Sequence, residues 1–172
     1  MIRNDAFMTA RVNSFISPSY EEFQCFPLIN ADGEEVQLGF FRCGVEDPFI
    51  AIKLNPDIAA HLGSGILSEN VDLIDQWYED LGSKMTADDA CAYYCAWSTG
   101  DRFQAVAYGI SEDRRIVLMI SDIDTTQKLT FSPKSNHFAI YCPKSYFYNL
   151  GRNLLLAADG IEMEKERRFL NL

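Results

Sequence analysis

Residues 23–43 read FQCFPLINADGEEVQLGFFRC, and the reading of this stretch decides the fold class. Two apolar runs, Phe23–Asn30 and Val36–Cys43, are separated by Ala31-Asp32-Gly33-Glu34. Asp-Gly between such runs predicts a tight hairpin, because glycine takes the positive φ that a short turn requires. A third run, Phe49–Leu54, stops at Asn55-Pro56-Asp57. There Asn can cap a helix and Pro suits its first position. Gly63-Ser64-Gly65 predicts that this helix is short. Upstream, Met8, Val12, Phe15 and Ile16 fall at helical spacing within Asn4–Ile16, and Ser17-Pro18-Ser19 would end that helix.

Downstream, Glu69–Leu81 carries the clearest helical pattern. Val71, Ile74, Trp77, Tyr78 and Leu81 form one stripe, with Asp72, Asp75 and Glu79 opposite, Ser68 as a starting cap and Gly82 as a stop. Thr86-Ala87-Asp88-Asp89 reads as another helix start. In Cys91–Ser98 the alanines favour helix, but Tyr93, Tyr94 and Trp97 favour a strand before the turn at Thr99-Gly100-Asp101. The balance goes to strand. Phe103–Ile110, Arg115–Ser121, Lys128–Phe131 and His137–Cys142 then read as short strands with polar turns between them. Pro143 opens a final helix on which Phe147, Leu150, Leu154 and Ala158 share a face, with its end at Asp159-Gly160. Residues 161–172 follow as a charged tail or a last helical segment.

The expected fold is therefore α+β: an antiparallel sheet, from an N-terminal hairpin plus a C-terminal meander, covered by amphipathic helices. Residues 1–172 read as a single globular domain. Hairpin, short helices, then meander is also the element order of PAS and GAF sensor domains. A small-molecule pocket between sheet and helices is accordingly the second functional reading.

Hydrophobic residues make up 48% of the chain and charged residues 23%, which excludes a disordered polymer. No apolar stretch approaches the roughly 20 residues that span a bilayer, and no apolar core of a signal peptide follows Met1–Asp5. The five cysteines (Cys25, Cys43, Cys91, Cys95 and Cys142) are scattered, mostly inside apolar runs. They read as reduced core residues of a cytoplasmic protein. Net charge is −10, with 17 acidic and 5 basic residues in positions 1–101 against 8 and 10 thereafter. That balance disfavours nucleic acid and anionic membranes, whose binding draws on Lys and Arg.

The sharpest chemical motif is Ile116–Ile120 followed by Ser121-Asp122-Ile123-Asp124-Thr125-Thr126. An apolar strand running into Asp-x-Asp-x-Thr matches the nucleophile motif of haloacid-dehalogenase-type phosphatases. That match implies Asp122 as nucleophile and Asp124 as general acid, with magnesium screening the charge. The family also needs a parallel sheet and crossover helices, and only 46 residues remain after Thr126. A polar turn between strands is the competing reading, and the favoured one.

His61 and His137 are the only histidines, so any Cys–His dyad would use one of them, and His61, late in the short helix, and His137, at a strand start, each read as structural or surface residues. No closely spaced Cys/His pairs suggest zinc, and no glycine-rich loop suggests phosphate. Cys91 and Cys95, four apart, are expected on one buried face. No metal or cofactor is expected.

The remaining material suits binding. Glu69, Asp72, Asp75, Glu79, Asp80, Asp88 and Asp89 form an acidic set. Tyr93-Tyr94 and Tyr141…Tyr146-Phe147-Tyr148 are aromatic clusters of the type that anchors interfaces. The expected function is a non-enzymatic protein-binding module, such as an inhibitor, immunity-type or anti-host factor, or an adaptor. Its partner would present a basic surface to Asp72, Asp75, Glu79, Asp80, Tyr146 and Tyr148.

Overall fold

The computed structural model describes residues 7–12, 21–69, 76, 79, 89–111, 113–124 and 136–170. The elements are β1 (Met8–Val12), β2 (Glu21–Asp32), β3 (Glu35–Arg42), β4 (Ile50–Leu54) and α1 (Pro56–Ser68). Then come β5 (Asp89–Thr99), β6 (Arg102–Ser111), β7 (Ile116–Asp124), β8 (Asn136–Cys142) and α2 (Lys144–Phe169). The eight strands form one antiparallel sheet of order β4-β3-β2-β1-β8-β7-β6-β5. Both the early hairpin and the late meander are present, and the α+β class holds.

The chain divides into two compact units, residues 1–25 with 70–144 and residues 26–69 with 145–172. The chain passes from one to the other within β2. In the first unit, alternation puts Met8, Ala10, Cys25, Val106, Leu118 and Ile140 on a common face of β1, β2, β6, β7 and β8, all buried. Tyr93 of β5 stacks on Tyr108 of β6 with ring centroids 5.1 Å apart. Such cross-strand aromatic pairs are a unit of sheet stability.

The segment read as a first helix is strand β1. Ala10 lies opposite Phe23 on one side and Ile140 on the other. The i, i+4 spacing of Met8 and Val12 is also an i, i+2 pattern once Ala10 is counted as apolar, and two flanking strands supply the hydrogen bonds. Phe15 and Ile16 lie outside the described residues.

The second unit layers helices on strands. Val36, Leu38 and Phe40 of β3 and Ile50, Ile52 and Leu54 of β4 are buried, as are Ala59, Leu62 and Ile66 of α1. α2 adds Phe147, Leu150, Leu154, Ala158 and Ile161. Gly33 turns the β2–β3 hairpin at φ +62°. The Asn55 side chain accepts from the Ile58 amide at 2.8 Å, the cap expected of Asn-Pro-Asp and worth about 1 kcal/mol.

Two expected helix ends are not ends. α1 runs through Gly63-Ser64-Gly65 to Ser68, whose hydroxyl donates to the Gly65 carbonyl at 2.8 Å. α2 runs through Asp159-Gly160 to Phe169. Its last turns carry pairs of Lys165 with Glu162 and of Arg167 and Arg168 with Glu164, at 3.6–3.8 Å. Pairs at this spacing, with cations near the C-terminus, support a helix past one glycine.

Of the Glu69–Leu81 helix, Gln76 and Glu79 are helical, and most of the rest lies outside the described residues. The same holds for the helix start at Thr86–Asp88, while Asp89 already belongs to β5. The strand reading of Cys91–Ser98 is the observed one. A register shift between Cys91 and Tyr93 interrupts alternation there, so the common-face argument for Cys91 and Cys95 does not carry across it. Lys128–Phe131 is outside the described residues.

Candidate functional site

Of the six residues expected to meet a partner, Glu79, Tyr146 and Tyr148 are among the described residues. Asp72, Asp75 and Asp80 lie outside the described residues. Glu79 is exposed, and its carboxylate lies 3.9 Å from the Arg114 guanidinium. Tyr148 is tied down, its hydroxyl donating to the Glu69 carbonyl at 2.7 Å just past the end of α1. That bond joins two elements of the second unit. Tyr148→Phe is expected to lower stability by about 1 kcal/mol, read as a shift of the urea midpoint. An unchanged midpoint would remove the structural role assigned to the hydroxyl.

Tyr146 has a different setting. It lines an open groove of about 710 Å³ in the second unit, between β2 and α2, with Phe26, Leu28 and Asn30 on one wall. Asn149, Asn153 and Leu156 follow Tyr146 along the other wall. None of the residues lining this groove is charged. Three of its apolar members are open to solvent: Phe26 is 38% exposed, Leu28 49% and Leu156 62%. The asparagines offer both donors and acceptors. Sequence reading missed this wall, although the signal is in the helical wheel. Asn149, Asn153, Leu156 and Gly160 share a side distinct from the buried Phe147, Leu150, Leu154 and Ala158.

Tyr94 is exposed, at 65%, while its neighbour Tyr93 is engaged with Tyr108. Burial, with Cys95 beside it, pushes the Tyr93 phenol up to about 12.

The groups with catalytic potential differ in exposure. Asp122 is buried on β7, opposite Gln104 of β6 and Asn136 of β8. It accepts from Arg102 Nε at 2.7 Å and from Gln104 Nε2 at 3.3 Å. Of the expected polar turn, Ser121–Asp124 is instead the end of strand β7, paired antiparallel with β6 throughout and with β8 as far as Asp122, while Thr125 and Thr126 lie outside the described residues. A phosphatase of the type considered would place that motif beyond a parallel strand, so this topology lends it no support. Cys25 and Cys142 are buried, and burial, then the nearby Cys25, raises the Cys142 thiol far above its usual range. Cys43 is exposed rather than part of the core, and Cys95 is half-buried. His61 is exposed on α1.

Among the described residues no group of three His, Cys, Asp or Glu side chains could hold a metal ion. Also among them, no helix is long and apolar enough to cross a membrane. Charge along the chain is redistributed by the topology. The first unit holds fourteen acidic and nine basic residues and the second eleven and six, so each carries a net −5. No protein-family model matches the chain and no curated protein is significantly similar to it, so its functional reading rests on these residues alone.

Proposed function

We propose that this chain is a non-enzymatic protein-binding module whose partner presents a basic surface. The observation that carries the reading is where the acidic side chains lie. Among the described Asp and Glu residues whose exposure is defined, Asp122 alone is buried, and both units carry the same negative excess. An acidic surface speeds encounter with a cationic partner and discriminates against anionic ones such as nucleic acid. Three of the chemistry-bearing groups support the same reading: Asp122 is held by Arg102 and Gln104, and Cys25 and Cys142 are enclosed. The groove favours an extended contact over a small-molecule site, since an open, exposed wall does not enclose most of a ligand's surface.

The test is isolation of the complex at low salt, identification of the partner by mass spectrometry, and titration with both proteins purified. Affinity is expected to fall at least about tenfold between low and physiological salt. The combined variant Asp72→Asn, Asp75→Asn, Glu79→Gln and Asp80→Asn is expected to slow association while leaving the fold intact. No complex at low salt, or one indifferent to both salt and the variant, overturns the reading.

A further inference from the structure

We propose that the groove of the second unit takes an extended, uncharged segment of a partner protein, which adds to β2 as a strand along Pro27–Ala31. Over this stretch β2 is bonded on one side. The β2–β3 turn is Gly33-Glu34, flanked by Asp32 and Glu35. In a two-residue hairpin the flanking pair exchanges both hydrogen bonds, and every second residue back along β2 then faces β3. Phe26, Leu28 and Asn30 therefore bond to β3, and Pro27, Ile29 and Ala31 turn their backbone groups the other way. The far side of β3 agrees. Its Phe40 carbonyl accepts from the Phe49 amide at the entry to β4, at 2.9 Å, so Gly39 and Phe41 face β2. Phe26 and Phe41 are accordingly stacked, with centroids 5.6 Å apart. Pro27 lacks its N–H on the side away from β3, where a strand tolerates proline.

On that outer side β1 pairs with β2 from Glu21 to Cys25, and among the described residues no strand pairs with β2 beyond Cys25. The carbonyls of Pro27, Ile29 and Ala31 and the amides of Ile29 and Ala31 thus form an open ladder about 13 Å long. The groove runs along it. Phe26 to Ala31 line the groove consecutively, whereas a groove on one face of a strand meets every second residue. None of residues 26–32 is buried.

This lining specifies the occupant. A row of open backbone donors and acceptors is satisfied by another strand, whose main chain supplies affinity and whose alternate side chains supply specificity. One set of those side chains meets α2 at Asn149, Asn153 and Ala157, and the other lies beside Phe26 and Leu28. Gly160 leaves room on the α2 wall, since a Cβ built there meets nothing within 4 Å. No lining residue is charged, although the chain carries −10. Charge complementarity therefore selects a segment uncharged at its central positions, because a charge enclosed there would find no partner.

The proposal deepens the binding reading and rests on it for the partner being a protein. The two fail separately: the basic surface is read by salt and the acidic variant, the added strand by the amides of Ile29 and Ala31. The probe is a displayed library of linear eight-residue peptides, selected on the full chain and then titrated as synthetic amides while amide exchange is followed by NMR. In the free chain the Leu28 and Asn30 amides should exchange slowly and those of Ile29 and Ala31 fast. Bound peptide should slow Ile29 and Ala31 at least about tenfold, with affinity changing less than about threefold between low and physiological salt.

Leu156→Asp changes an exposed position on the α2 wall, so circular dichroism should match the parent while peptide affinity falls at least about tenfold. Ile29→Pro removes one outward amide without touching a bond to β3, and should weaken binding to a similar degree. A library that yields no peptide binding the purified chain overturns the proposal. So do peptides that bind without slowing Ile29 and Ala31, or that are indifferent to Leu156→Asp. Ile29 and Ala31 amides already slow in the free chain also overturn it, since the edge is then covered by the chain itself or by a second copy.

Discussion

Replacing Gly63 with alanine is expected to lower the stability of the fold by about 2–3 kcal/mol, although alanine is the better helix former. At an exposed mid-helix site the exchange gains about 1 kcal/mol. Here the added methyl would stand 2.7 Å from the Gly151 carbonyl oxygen, 3.0 Å from Leu155 Cγ and 3.2 Å from the Leu155 amide nitrogen. Two of those atoms are backbone of α2, so relief requires the two helices to separate and loosen the contacts of Leu62 and Ile66. Gly151→Ala meets the reciprocal obstacle, with Ile66 Cγ2 at 2.6 Å and Ile66 Cβ at 2.9 Å. A β-branched side chain on a helix has no alternative rotamer to retreat into.

Gly160→Ala in the same helix has open space around it and is expected to gain about 0.5–1 kcal/mol. Urea unfolding at concentrations where the chain is monomeric compares the three. If Gly63→Ala and Gly160→Ala both stabilise, the close crossing of α1 and α2 is refuted.

The same glycines explain where sequence reading failed. Gly63 and Gly160 look alike in a one-dimensional pattern, and each reads as a stop. One is instead a point of close helix approach and the other an exposed position inside a helix held by Glu–Lys and Glu–Arg pairs. Propensity describes an isolated segment, and tertiary packing of Leu150, Leu154 and Ile161 overrides it.

Signals with a local mechanism were legible. Asp32-Gly33 specifies its turn through the φ of one residue. Asn55-Pro56 specifies a helix start through one cap bond and one missing N–H. β1 was illegible for a non-local reason. Five residues with one alanine at the buried centre look helical until strands from both ends of the chain, β2 and β8, are known to flank them. The acidic asymmetry along the sequence was real but did not survive folding, because each compact unit combines early and late segments. Of the candidate site, Tyr146 was found for its residue type. The groove around it was not, since Phe26, Leu28 and Asn149 come from elements far apart in sequence.

Arg102→Met is expected to cost about 2 kcal/mol, and removing its partner as well is expected to restore most of that loss. Asp122 is only 9% exposed, so its carboxylate depends on the Arg102 guanidinium at 2.7 Å and, more weakly, on the Gln104 amide at 3.3 Å. Without the arginine a buried charge keeps one long hydrogen bond. The Arg102 side chain is 43% exposed, so water can take part of its place. That places the loss below the roughly 3–5 kcal/mol of a fully enclosed pair.

In Arg102→Met with Asp122→Leu no charge remains to be solvated, and stability should return to within about 1 kcal/mol of the parent, the residue being the acceptor lost to Gln104. The cycle should therefore show a coupling of at least about 1 kcal/mol, whereas additive losses would mean that the pair does not act as a unit. The single variant Asp122→Leu addresses the Asp-x-Asp-x-Thr stretch directly. A carboxylate kept in a buried strand for chemistry is a liability to the fold, and its removal commonly stabilises. A carboxylate that fastens β6 to β7 destabilises when lost, and destabilisation is the expected result.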